Sequence, residues 1–117
     1  MDKSEHSILK IYASSTDKIG KKLLYEHIVE QAKERGLGGA TVYRGVMGFG
    51  ASSSKISSSR FWELTEKLPV TIELMDRTRV LEDFYHAIAP GLHQMKKGCL
   101  VSMEPVSILL MKPGEKS

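Results

Sequence analysis

The stretch Gly36-Leu37-Gly38-Gly39-Ala40-Thr41-Val42-Tyr43-Arg44-Gly45-Val46-Met47-Gly48-Phe49-Gly50 gathers six of the chain's ten glycines around one strand-like run. Glycine serves where the backbone takes φ > 0 or comes close to another group, so glycines bracketing β-branched and aromatic residues predict a strand ending in a close-approach loop. The run divides in three. Gly36 to Gly39 end a helix and turn the chain, Ala40 to Met47 favour a strand, and Gly48 to Gly50 open the loop beyond it. By residue type alone, Gly48-Phe49-Gly50 suits two roles equally well: a hinge, or a nest of backbone N–H groups for an anion, with Arg44 and Lys55 near in sequence.

Upstream, Ile8, Leu9, Ile11 and Tyr12 mark a strand over Ser7 to Ala13. The oxygens of Ser14-Ser15-Thr16-Asp17 offer a cap, and Ile19, Leu23, Leu24, Ile28 and Ala32 then recur at helical spacing, which predicts a helix from about Asp17 to Arg35. Lys18, Lys21, Lys22, Glu26, Glu30 and Lys33 give it a solvated face. Downstream, residues 51–59 hold six serines, too little apolar surface to offset the entropy of ordering them, so a long mobile loop is expected over about 51–67. Phe61 and Trp62 lie within it, either docked on the sheet or presented to a partner.

Leu68 to Met75 alternates as a third strand. Asp76 is the expected N-cap of a second helix carrying Val80, Leu81, Phe84, Tyr85 and Ile88, with Pro90-Gly91 as its end. Gly98 to Leu110 gives a fourth strand with Pro105 as its weak point, and residues 112–117 form a frayed tail. The order β-α-β-β-α-β predicts an α+β, ferredoxin-like sandwich: one antiparallel sheet with two helices on one face, in a single domain spanning 1–117. Its other face would carry Tyr12, Tyr43, Val46, Met75 and Met103, more apolar surface than a solvated face needs, which points to homo-oligomerisation.

Composition excludes several functions. A net charge of +3, from 17 basic and 14 acidic residues spread along the chain, is too mild and diffuse for a nucleic-acid groove. The single cysteine forms no internal disulfide, and the absence of an apolar leader or span makes the cytoplasm the expected compartment. His6, His27, His86 and His93 lack ligand spacing, so no metal is expected. Cys99 sits in an apolar run as a small hydrophobe, Glu82 and Asp83 are adjacent and diverge on a helix, and no serine has an evident base. The residues do not compose an enzyme.

The run Gly39 to Gly50, followed by Leu68 to Asp76 and Gly98-Cys99-Leu100-Val101, resembles the PII-like family once classed only as a conserved domain of unknown function, and more remotely the PII nitrogen-regulatory signal transducers. The resemblance covers nearly the whole chain. It implies a homotrimer with an adenine nucleotide in each cleft between subunits and a mobile T-loop that regulates an unidentified partner, a membrane transporter or channel being one candidate. It also implies that Gly48, Phe49 and Gly50 begin the T-loop near the phosphates, that Thr41 lies near the adenine, that Gly98 belongs to the turn before the last strand, and that Glu73 falls near the base. Two departures stand out. Cys99 occupies the position of a lysine, and Ile108, Leu109 and Leu110 replace arginines. Each lost charge-assisted contact is worth roughly 1.5–3 kcal/mol, which favours AMP or ADP over ATP, with Arg44 and Lys96 or Lys97 as compensating cations. A CutA-type trimer concerned with divalent cations, and a ligand-free structural adaptor, are the alternatives.

Overall fold

The computed structural model describes residues 5–50, 53–58 and 67–115. In chain order the elements are β1 (His6–Ser14), β2 (Lys18–Ile19), β3 (Lys22–Leu23), α1 (Leu24–Glu34), β4 (Ala40–Arg44), β5 (Met47–Gly50), β6 (Ser53–Ser58), β7 (Pro69–Arg77), α2 (Thr78–Gln94) and β8 (Leu100–Val106). The main sheet has the order β4-β7-β1-β8 and every pairing is antiparallel. Counting only its own strands in chain order, that is 2-3-1-4, the expected ferredoxin-like arrangement.

Side-chain alternation fixes which way the sheet faces. Leu9 and Ile11 of β1, Val70, Ile72 and Leu74 of β7, and the half-buried Val42, Val101 and Met103 pack with Leu24, Ile28 and Ala32 of α1 and with Leu81, Phe84, Ile88 and Leu92 of α2. Both helices therefore cover one face. The register is pinned because a one-residue slip would turn this whole set toward water. Met103 belongs to the core and not to the open face where its sequence position suggested it, and Leu100 is exposed on that face instead.

The first helix starts seven residues later than expected. Gly20, at φ 63°, turns the chain between β2 and β3, a hairpin that takes Ile19 and Leu23 out of the helical stripe. The N-cap position falls to Leu23 and not to Asp17, whose Oδ2 accepts the Ser14 backbone N–H at 2.9 Å, closing the turn after β1. The end of α1 follows the sequence. Gly36 takes φ 82°, its N–H bonds the carbonyl of Lys33, and the Leu37 N–H bonds that of Ala32, the paired contacts of a Schellman stop.

Other boundaries also move. Asp76 is the penultimate residue of β7 and not a cap; its carboxylate accepts the N–H of Gly38 at 3.0 Å, tying the turn after α1 to the sheet. Helix α2 runs through Pro90 and Gly91 to Gln94. Proline removes one helical hydrogen bond, but Ile88 and Leu92 are buried on either side of it, and their packing carries the helix past the break. Pro105 lies inside β8 without breaking it, as an edge strand permits, and the strand ends at Val106, short of Leu110. The strand expected over Ala40 to Met47 divides at Gly45-Val46, and residues 53–58, within the stretch expected as a long mobile loop, form β6, paired with β5. Phe61 and Trp62 lie outside the described residues.

Candidate functional site

Of the seven residues singled out from the sequence, Thr41 and Arg44 lie on the edge strand β4, Glu73 on its neighbour β7, Gly48, Phe49 and Gly50 on β5 of a separate two-stranded sheet, and Gly98 just before the opposite edge strand β8. Thr41 on β4 and Glu73 on β7 are direct cross-strand partners on the open face. Tyr43, two residues along the same face, donates its hydroxyl to Glu73 Oε1 at 3.3 Å. The sequence offers Tyr43 only as surface for association, although its spacing of two from Thr41 already sets both on one side of a strand. Arg44 ends β4 opposite Val70, on the helix-covered side by alternation, and is exposed. It does not share a face with Thr41 and Glu73.

Gly48, Phe49 and Gly50 lie on β5, and among the described residues only Gly20 and Gly36 have positive φ. The alternating handedness of an anion nest is therefore absent at 48–50 in this conformation, and the backbone is extended. Packing accounts for part of the glycine pattern. A Cβ on Gly45 would stand 2.9 Å from Pro69 Cγ, and one on Gly48 3.2 Å from the same atom, while one on Gly50 would meet nothing within 4 Å. The Gly45 N–H also bonds the Pro69 carbonyl at 2.7 Å, so the start of β7 holds the chain where it leaves β4.

Gly98 lies beyond the far edge, just before β8. With Lys96, Lys97, Cys99, His93 and Tyr85 it lines a hollow of about 430 Å³ at the C-terminal end of α2. None of the other six predicted residues lines it. The Cys99 thiol is pushed above its ordinary value by burial and by the nearby charge of Asp17, so near neutral pH it is an uncharged group in a hollow whose cations are lysines. Strands β4 and β8 are three interstrand steps apart, about 14 Å at the usual spacing, which separates Thr41 and Arg44 from Gly98 within one chain.

The DUF190 family model (Uncharacterized ACR) matches residues 6–108, spanning all four strands of the main sheet and both helices. The chain belongs to the DUF190 family. It is 31% identical over 104 residues to a UPF0166 protein of Aquifex aeolicus, covering 89% of this chain and 93% of that one. It is 36% identical over 90 residues to the UPF0166 protein MJ1524 of Methanocaldococcus jannaschii, covering 77% and 78%. Among solved structures, this DUF190 chain is similar to a PII-like signalling protein of Thermus thermophilus, with a TM-score of 0.59, 17% identity and 89% of each chain covered. It is also similar to CPII of Thiomonas intermedia K12, a nitrogen regulatory PII-like protein bound to ADP, AMP and bicarbonate, with a TM-score of 0.56, 13% identity, and 86% and 87% covered. The DUF190 fold is thus the PII-like, ferredoxin-type sandwich.

Among the described residues no helix is long and apolar enough to cross a membrane, and no three His, Cys, Asp or Glu side chains gather as a metal-ligand set.

Proposed function

We propose that this DUF190 protein is a non-enzymatic, PII-like regulator of the cytoplasm, a homotrimer that binds an adenine nucleotide, AMP or ADP in preference to ATP, in clefts between its subunits. The observation that carries this reading is the placement of the candidate residues on opposite sheet edges. Thr41 and Glu73 sit on the open face at the β4 side, Arg44 ends β4 on the opposite face, and Gly98 with Lys96 and Lys97 lies beside β8. A second copy bringing its β8 edge to the first copy's β4 edge unites them, and the nucleotides in CPII support adenine nucleotide as the ligand class.

In that arrangement Thr41 and Glu73 offer a hydroxyl and a carboxylate to the polar edge of a base, with Tyr43 holding Glu73. Arg44, Lys96 and Lys97 supply cations for a short phosphate chain, and the neutral Cys99 adds none. The β5–β6 hairpin and the residues up to 67 form the signalling segment toward a regulated protein. Calorimetric titration with AMP, ADP, ATP, cyclic AMP and divalent metal salts tests the reading. Binding of AMP or ADP is expected, weakened roughly 10- to 100-fold by Arg44→Ala if that guanidinium bonds a phosphate. No heat with any nucleotide refutes the reading, and an unchanged affinity in the variant removes Arg44 from the site.

A further inference from the structure

The β2–β3 hairpin has no part in that reading, yet it is tied into the fold at two points. Ile19 reaches α2 at Gly91, where an added Cβ would stand 2.5 Å from Ile19 Cδ1, and the Leu24 N–H that follows the hairpin bonds the Asp17 carbonyl at 2.8 Å. From this anchored base the Gly20-Lys21 turn projects three exposed lysines, Lys18, Lys21 and Lys22. Lys22 is satisfied by a salt bridge to Glu30 of α1, which raises its pKa through a side-chain hydrogen bond and charge attraction. Lys18 and Lys21 have no acidic partner among the described residues. The three lysines rim an open hollow of about 640 Å³ with Ile19 and Leu23 as its apolar lining and Glu26 at its margin.

We propose that this hollow is a docking surface for an acidic segment of a partner protein, whose carboxylates pair with Lys18 and Lys21 while an apolar side chain between them rests on Ile19 and Leu23. Charge complementarity selects a polypeptide over a bilayer. Beside the lysines α1 presents Glu26, Glu30 and Glu34, and a continuous anionic plane would be pressed against all of them, whereas a peptide can set a carboxylate over a lysine and a hydrogen-bond donor over Glu26. The surface is separate from the nucleotide residues, so it stands or falls independently of them.

The test uses the full chain without nucleotide and a fluorescein-labelled peptide alternating Glu and Leu, with a Gln-for-Glu counterpart and phosphatidylglycerol-containing vesicles alongside. The acidic peptide is expected to bind, the Gln peptide not to, and binding to weaken with salt. The double variant Lys18→Glu/Lys21→Glu should lose at least about tenfold in affinity, while Lys112→Glu, a charge reversal in the exposed C-terminal segment, changes nothing. Thermal unfolding of each variant confirms that it folds as the parent does. No binding of the acidic peptide, equal affinity in the double variant, or retention on vesicles without peptide binding overturns the proposal.

Discussion

Cys99 shows how a single residue constrains the chemistry at the β8 edge. It is half-buried in the hollow beside Lys96 and Lys97, and both burial and the Asp17 carboxylate disfavour its thiolate. An acid whose pKa rises on folding leaves stability unchanged below its unfolded value and weakens folding as pH climbs from there to the folded value, because only the unfolded chain releases the proton in that window. Alkylation of the native protein by iodoacetamide should therefore have its pH midpoint above that of the same thiol in urea. Asp17→Asn retains an oxygen for the Ser14 N–H while removing the charge, and should bring the native midpoint down. A native midpoint at or below the urea value would contradict the environment described for Cys99. Gly36 illustrates the opposite case of a residue whose role was plain from its type and place, since a left-handed stop after an amphipathic run calls for glycine.

At the scale of elements, the segment Gly45 to Gly50, from the end of β4 through β5, separates packing from ligand binding as the reason for its glycines. Gly45→Ala forces a carbon against the Pro69 ring at 2.9 Å and should cost about 1–3 kcal/mol in urea denaturation. Gly48→Ala, with 3.2 Å available, should cost less, and Gly50→Ala, which faces open space, should stay within about 0.5 kcal/mol. Equal costs at all three positions would dismiss Pro69 as the cause. The period-two runs of β1 and β7 and the apolar stripe of α2 could be read before the fold was known, because burial against a single core imposes them. The β2–β3 hairpin could not, since Ile19 and Leu23 fall at helical spacing with Leu24 and Ile28, and the contact of Ile19 with Gly91, far away in sequence, decides between hairpin and helix. Strand β6 escaped for a related reason: its serines promise no burial, and its partner is the backbone of β5. Thr41 and Glu73 could be named separately, but their pairing became visible only with the register of β4 on β7.

For the whole molecule, the uncovered side of the sheet is the largest unmet demand. Leu100, Tyr12, Thr71 and Tyr43 form one row across all four strands, with Tyr12 and Tyr43 41% and 53% exposed and Leu100 52%. Met75 adds a further exposed apolar side chain on that face, beside the Lys10–Glu104 ion pair at 3.5 Å. Such a row is more apolar than water contact warrants, and covering it with other copies would also bring sheet edges from different chains near one another, which the proposed nucleotide site, divided between β4 and β8, requires. Tyr12 stands in the row on an inner strand, so Tyr12→Lys places one charge per copy within any interface built there. A buried, unpaired charge costs about 3–5 kcal/mol, enough to raise a dissociation constant by about two to four orders of magnitude. Light scattering after size exclusion should then find the Tyr12→Lys protein as a monomer at micromolar concentration, with Tyr12→Phe still assembled, and nucleotide affinity should fall together with assembly. An assembled Tyr12→Lys variant would exclude this face as the interface, and a monomer that kept full nucleotide affinity would place the site within one chain.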